Sequence, residues 1–203
     1  MDYKKIAEGD SVEKTIAALK NNGITAIMVE NAADAKTKVL GMIPEGAEVM
    51  TMTSVTLDSL GISEEINTSP KYNSVKNKLA SMDRATQSND MQKIGAAPDY
   101  AIGSVHAVTE DGHIVIASNT GSQLPAHAYG SPHVIWVVGT QKIVKDFDTA
   151  LKRIYAHTLP LESERAKKAY GVDGSFVSKL LVINKEVNPN RITLIFVPEV
   201  IGY

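Results

Sequence analysis

Seven short apolar runs recur along the chain, and the first are separated by segments of helical periodicity. That alternation constrains the fold more than any other feature. ITAIMVE (24–30) follows a helical pattern in which Val12, Ile16 and Leu19 recur before Gly23. Asp10 and Glu13 have the spacing of a capping box for that helix. Asn31 can cap a second helix carrying Ala35, Val39 and Leu40, and EVMTM (48–52) is the next run. YAIGSV (100–105), HIVIAS (113–118), HVIWVVG (133–139), KLLVINK (179–185) and RITLIFV (191–197) complete the set. Runs with so few polar breaks suit strands buried on both faces. Strand–helix–strand repetition therefore predicts an α/β fold, with an open, mostly parallel sheet and helices on both faces. The runs at 25–29, 48–52, 100–105, 113–117 and 134–138 are expected to share that sheet. The last two are expected to pair across Asn188-Pro189-Asn190.

Between these runs, 53–62 reads as a loop entering a short helix, and Val75, Leu79 and Met82 mark a longer one ending before Pro98. Asp146 can cap a helix with Phe147, Ala150, Leu151 and Ile154 on one stripe. The stretch 158–175 has weak periodicity and reads as a polar connection, exposed or lying over a site. With no internal repeat or linker, the expectation is one α/β domain over 1–203.

Composition removes several functions. The 203 residues are 43% hydrophobic and 22% charged, which is ordinary globular usage and argues against disorder. A net charge of -2 argues against a nucleic-acid-binding surface. There is no cysteine, hence no disulfide, no thiol nucleophile and no iron–sulfur cluster held by this chain's thiolates. No cofactor is evident. The opening MDYKKIAEGD lacks the apolar core of a signal peptide, and no run approaches the roughly 20 residues of a membrane span. A cytoplasmic protein is expected, with self-association left open.

Phosphate loops of the G-x-x-x-x-G-K-S/T type, dinucleotide turns of the G-x-G-x-x-G type and G-x-S-x-G elbows are missing from the sequence. His106, His113, His127 and His133 fall near strand ends but lack ligand spacing, so packing or hydrogen bonding is the expected role. What remains is hydroxyls, glycines, a carboxylate pair and a lysine where strands should end. Ligands of open parallel sheets bind beyond the carboxyl ends of strands. Thr51, Thr53, Ser54 and Thr56 follow one run and lead into a helix, where N–H and hydroxyl donors can hold an anion. Capping alone explains the same residues. SNTGSQLPA (118–126) offers Asn119, Thr120, Ser122 and Gln123 as donors, with Gly121 letting backbone approach a ligand. Asp111-Gly112 is a hairpin-turn signal; Glu110 beside it is a candidate base or nucleophile. Lys142, just past Gly139, is a candidate fixed positive charge for an anionic ligand.

AVTEDGHIVIASNTGSQLPAHAYG (107–130) followed by VIWVVGTQKIV (134–144) closely resembles the LUD domain, the family of lactate-utilisation protein C. The similarity extends over 29–62 and the closing RITLIFVPEVIGY (191–203), nearly the whole chain. The resemblance implies the open α/β fold of sugar-phosphate isomerases and CoA transferases. It implies a non-redox accessory role in oxidising lactate to pyruvate, beside partner subunits that carry iron–sulfur clusters. It also implies a small anionic ligand: phosphate, a carboxylate or a CoA ester. Glu110-Asp111-Gly112 is similar to the turn in which a CoA-transferase glutamate attacks the acyl group. A stand-alone enzyme of transferase or sugar-phosphate isomerase type, using Glu110 and Lys142, is the alternative.

Overall fold

The computed structural model describes residues 2–203. In chain order the strands are β1 (Thr25–Met28), β2 (Glu48–Thr51), β3 (Asn73–Ser74), β4 (Tyr100–Gly103), β5 (Ala107–Thr109), β6 (Ile114–Ser118), β7 (His133–Gly139), β8 (Ile143–Val144), β9 (Lys179–Ile183) and β10 (Ile192–Val197). The α-helices are α1 (Gly9–Asn21), α2 (Ala32–Gly41), α3 (Val55–Ser59), α4 (Ile62–Thr68), α5 (Val75–Ala80), α6 (Arg84–Ala96), α7 (Phe147–Arg153) and α8 (Leu159–Tyr170). A π-helical turn over Ile154–Thr158 joins α7 to α8.

Six strands form one parallel sheet in the order β1, β10, β7, β4, β2, β3. The uninterrupted apolar runs take its centre. All six residues of β10 are buried, as are the last six of β7. Side chains alternate across the sheet. Ile135, Val137 and Ile195 point to one face and pack against Ala35 and Val39 of α2, Leu57 of α3 and Ile66 of α4. Val134, Trp136, Leu194 and Phe196 point to the other, where Leu19 of α1 meets a second layer.

That second layer is a four-stranded sheet in the order β8, β5, β6, β9. Val108, Ile114, Ile116 and Ile183 carry its inner face against the parallel sheet. Its outer face packs Ala107, Val115 and Val144 under Ala150 of α7 and Ile154. Helices thus flank the parallel sheet on both faces, with one face shared between a helix and a sheet.

Two expected pairings are corrected. The run at 113–117 is β6, which leaves the parallel sheet and pairs antiparallel with β5 and β9. The Asp111-Gly112 turn is the cause: it folds β6 back on β5. Gly112 adopts φ +85°, and a Cβ there would stand 2.8 Å from both the Ala18 backbone and the Asn22 amide. The runs at 179–185 and 191–197 do not pair with each other. β9 edges the small sheet, while β10 lies between β1 and β7 in the large one. β9 is exposed at its start and edges its sheet, while the fully buried β10 is covered on both faces.

Capping is also partly revised. Asn31 and Asp146 accept from the N–H groups of Asp34 and Thr149, as expected. The first helix starts earlier, after Glu8, so Asp10 lies in its first turn and caps nothing. The pattern at 75–96 divides in two because Asp83 caps α6 through the Ala85 N–H.

Candidate anion site at the strand ends

Four parallel strands release their chains into one cleft of about 260 Å³. Met52 to Thr56 follow β2, Ser104 to His106 follow β4, Lys142 follows β7 and Tyr203 comes after β10. This is the carboxyl edge where open α/β sheets bind ligands. Ala117 to Thr120, Ser122 and Gln123 enter from the end of β6. The remaining wall comes from the π-helical turn and α8: Ile154, Thr158, Glu162 and Arg165.

Lys142 is the dominant electrostatic feature. It is 1% exposed, and its Nζ donates to Thr56 Oγ1 at 3.0 Å and Ser104 Oγ at 3.1 Å. Both partners are neutral, and no ion pair includes Lys142 among the described residues. Burial, reinforced by the Arg153 charge, pushes the amine down to about 7. Arg153 is itself fully buried. Its Nη1 donates to the His106 carbonyl at 2.6 Å and to Thr158 Oγ1 at 3.1 Å, while Nε and Nη2 have no partner. Two buried cations without a carboxylate partner are costly to hold in the fold. A bound anion would offset that cost.

His106 sets the tautomer of its own ring. Its Nδ1 accepts from the Ala117 N–H at 3.1 Å, so the proton of the neutral ring sits on Nε2. Burial, then the charges of Lys142 and Arg153, push it down to about 3. The cleft therefore holds a neutral imidazole at physiological pH.

Glu162 supplies the negative charge of the wall. Arg165 grips it twice, at 2.7 Å each, and the Tyr203 hydroxyl donates to it at 2.7 Å. Burial opposes the charged form, but these donors hold the carboxyl below its usual range. The π-helical turn matters here because a one-residue irregularity re-aims the next turn.

Of the expected site residues, Thr53, Ser54, Thr56, Asn119, Thr120, Ser122, Gln123 and Lys142 line the cleft. Ser54 also caps α3, accepting from the Leu57 N–H. Thr51 is buried against Asn67 instead. Gly121 does not line the cleft; its φ of +85° turns the loop over Lys179, whose Cδ would lie 2.6 Å from an added Cβ.

Glu110 is corrected: it stands outside. Ser11 Oγ and Lys14 Nζ of α1 donate to it at 2.8 and 2.9 Å and hold its carboxyl below the usual range. Parallel pairing sets Val108 beside Ile143 and Thr109 beside Val144. Glu110 is therefore three residues, roughly 10 Å, beyond the level of Lys142. Glu110→Gln should leave ligand affinity unchanged and cost less than about 1 kcal/mol, since the pair it loses is partly solvated. A change of tenfold or so in affinity by calorimetry would return Glu110 to the site.

The sequence reading overlooked Ser104 and His106 as cleft residues: Ser104 fell inside the run at 100–105, whereas the strand ends at Gly103 and releases both into the cleft. It overlooked Tyr203, which lies past the last strand, and it overlooked Glu162 and Arg165 for a different reason: 158–175 looked like a connection. It is α8 and the segment that closes the wall. Pro160 is tolerated in the first turn of that helix, and Gly171 ends it with a left-handed φ of +66°. The other histidines are spread apart. His127 accepts from Trp136 Nε1–H at 3.3 Å, His133 stacks on Tyr100, and His113 sits near Asp111.

No group of three potential metal ligands gathers among the described residues, and no helix among them is long and apolar enough to cross a membrane. No curated protein matches the sequence. Among solved structures, a DUF162 family protein from Deinococcus radiodurans is similar at 11% identity and a TM-score of 0.59, covering 95% of this chain and 99% of that one. That likeness shows a shared fold. The β subunit of eIF2B from Chaetomium thermophilum (16% identity, TM-score 0.39, 60% of this chain and 42% of that one) is a more distant match. Ribose 5-phosphate isomerase from Plasmodium falciparum (9%, TM-score 0.34, 56% and 52%) is another. The family model of the LUD domain matches residues 12–197, nearly the full sequence. The chain belongs to the LUD-domain family.

Proposed function

We propose that the strand-end cleft binds a small organic anion and that the chain is a non-redox accessory component of lactate oxidation to pyruvate. In this reading it works in the cytoplasm beside subunits that carry the iron–sulfur clusters. One observation carries the anion site: Lys142, buried at the junction of three strand ends, has only hydroxyl partners. Hydroxyl-rich loops on two sides, at 53–56 and 118–123, supply neutral donors for the remaining oxygens. The link to lactate rests on family membership. A transferase-like enzyme built on Glu110 draws no support from the geometry, because that carboxylate is held by α1.

A thermal-shift screen with pyruvate, lactate, inorganic phosphate and coenzyme A tests the site. A ligand at about 100 times its Kd should add about 2.7 kcal/mol of stability. The pH dependence is the sharper check. A carboxylate ligand keeps its charge between pH 6 and 9, so only the protein titrates. Lys142 must be protonated to attract the anion, and it loses its proton near 7 in the free protein. Affinity for pyruvate or lactate should hold below pH 7 and fall about tenfold per pH unit above it. A flat profile to pH 9 would remove Lys142 as the charge that binds.

A further inference from the structure

We propose that Lys142 is an imine-forming lysine, which condenses with a small carbonyl compound bearing a carboxylate or phosphate. It deepens the anion-binding reading and rests on it. The placement of Lys142 is unlike that of a lysine used only as a charge. An anion-binding lysine gains from staying protonated, and a carboxylate partner nearby would keep it so. Here the amine is in the wall of the cleft, held by Thr56 and Ser104 hydroxyls, and the charge acting on it is another cation, Arg153. Desolvation beside a second cation is how proteins make an amine nucleophilic. About half of Lys142 is neutral near pH 7, against roughly one part in a few thousand for an exposed lysine.

The rest of the cleft fits the chemistry. The hydroxyls of 118–123 can hold the anionic end of the ligand while the carbonyl faces the amine. His106 offers a neutral Nε2–H to a carbonyl oxygen. In the first step the Nζ lone pair forms a bond to the carbonyl carbon, and the C=O π pair moves to oxygen. That oxygen takes a proton and the new ammonium loses one, leaving a carbinolamine. The C–O bond then breaks, the oxygen leaves as water after a second protonation, and the nitrogen lone pair completes a C=N bond. One water is released and nothing is oxidised or reduced. The protonated imine is a cation, so the positive charge beside the bound anion is kept.

The test uses the full chain with sodium cyanoborohydride, which reduces an imine to a stable amine. One arm uses pyruvate and the other glyceraldehyde 3-phosphate, to separate α-keto acids from phosphorylated carbonyls. Intact mass should rise by the mass of the carbonyl compound less one oxygen atom. Peptide mapping of the unmodified sequence should then place the label on Lys142 at least about tenfold above any exposed lysine. Excess lactate or phosphate, neither of which has an aldehyde or ketone carbonyl, should suppress it. Lys142→Met and Lys142→Arg should both abolish the preferred label, and the mapping does not depend on either variant folding. Label spread evenly over surface lysines overturns the proposal. If lactate or phosphate still raises the melting temperature in that case, the anion site survives and only the imine falls. If no anion raises it, both readings fall together.

Discussion

Lys142→Met should weaken anion binding about ten- to a hundredfold while leaving the fold as stable as before or more so. The binding loss comes from removing one charge-assisted contact, which contributes roughly 1.5–3 kcal/mol. The stability gain comes from burial. Methionine keeps the length of the side chain without a charge to desolvate, and the two hydroxyls it leaves retain partners. Ser104 Oγ still donates to the Val137 carbonyl at 2.7 Å, and Thr56 Oγ1 to the Ile201 carbonyl at 3.4 Å. The gain has a pH signature. The folded protein holds the Lys142 proton only below about 7, whereas the unfolded chain holds it up to about 10.4. Between those values the unfolded state binds more protons, so wild-type stability rises with pH. The penalty is complete below 7 and gone above about 10.4. The advantage of Lys142→Met should therefore be largest at pH 6 and shrink towards pH 10 in denaturant melts. A variant destabilised at pH 6 would mean that Lys142 holds the cleft together rather than waiting for a ligand.

Trp136→Ala should cost about 3–5 kcal/mol, the range for removing a large aromatic side chain from a packed core. Trp136 is fully buried on β7, between the two sheets, among residues contributed by β10, β6 and α1. Its Nε1–H is the partner of His127 Nδ1, and that ring already has an unpartnered Nε2. For a protein of this size the loss corresponds to a fall in Tm of roughly 6–20 °C. The same strand carries Lys142 at its exit, so ligand affinity should drop with the fold, unlike the response to Lys142→Met. A shift of about 2 °C or less would show that the interior between the sheets is looser than its burial implies.

The parallel sheet is legible in the sequence because its central strands, β4, β7 and β10, are buried on both faces and so are written as apolar runs. β1 and β2, nearer the edges, keep apolar residues but alternate buried with partly exposed positions. The hairpin of β5 and β6 is also written, in Asp111-Gly112, but its consequence is not. Local chemistry announces a reversal, and only the tertiary packing shows that the returning strand joins another sheet. β9 and β10 depart from expectation for a related reason: neighbours in sequence need not be neighbours in space. In the cleft, Lys142 and the two hydroxyl loops are legible because each comes directly after an apolar run. Glu110 comes after a strand as well, but one of the small sheet, and its neighbour is α1. Glu162, Arg165 and Tyr203 come from a polar helix and the segment after the last strand. No local pattern marks them, since their roles exist only through one another.

The most direct measurement is the proton titration of Lys142 itself, monitored by NMR of the 13Cε resonance in protein labelled at lysine and assigned with Lys142→Arg. The free protein should show Lys142 with a midpoint near 7, and saturating pyruvate or phosphate should move that resonance and its midpoint. A midpoint above about 10 for Lys142, the ordinary range of an exposed lysine, unmoved by any small anion, would contradict a buried amine poised at the strand ends to receive one.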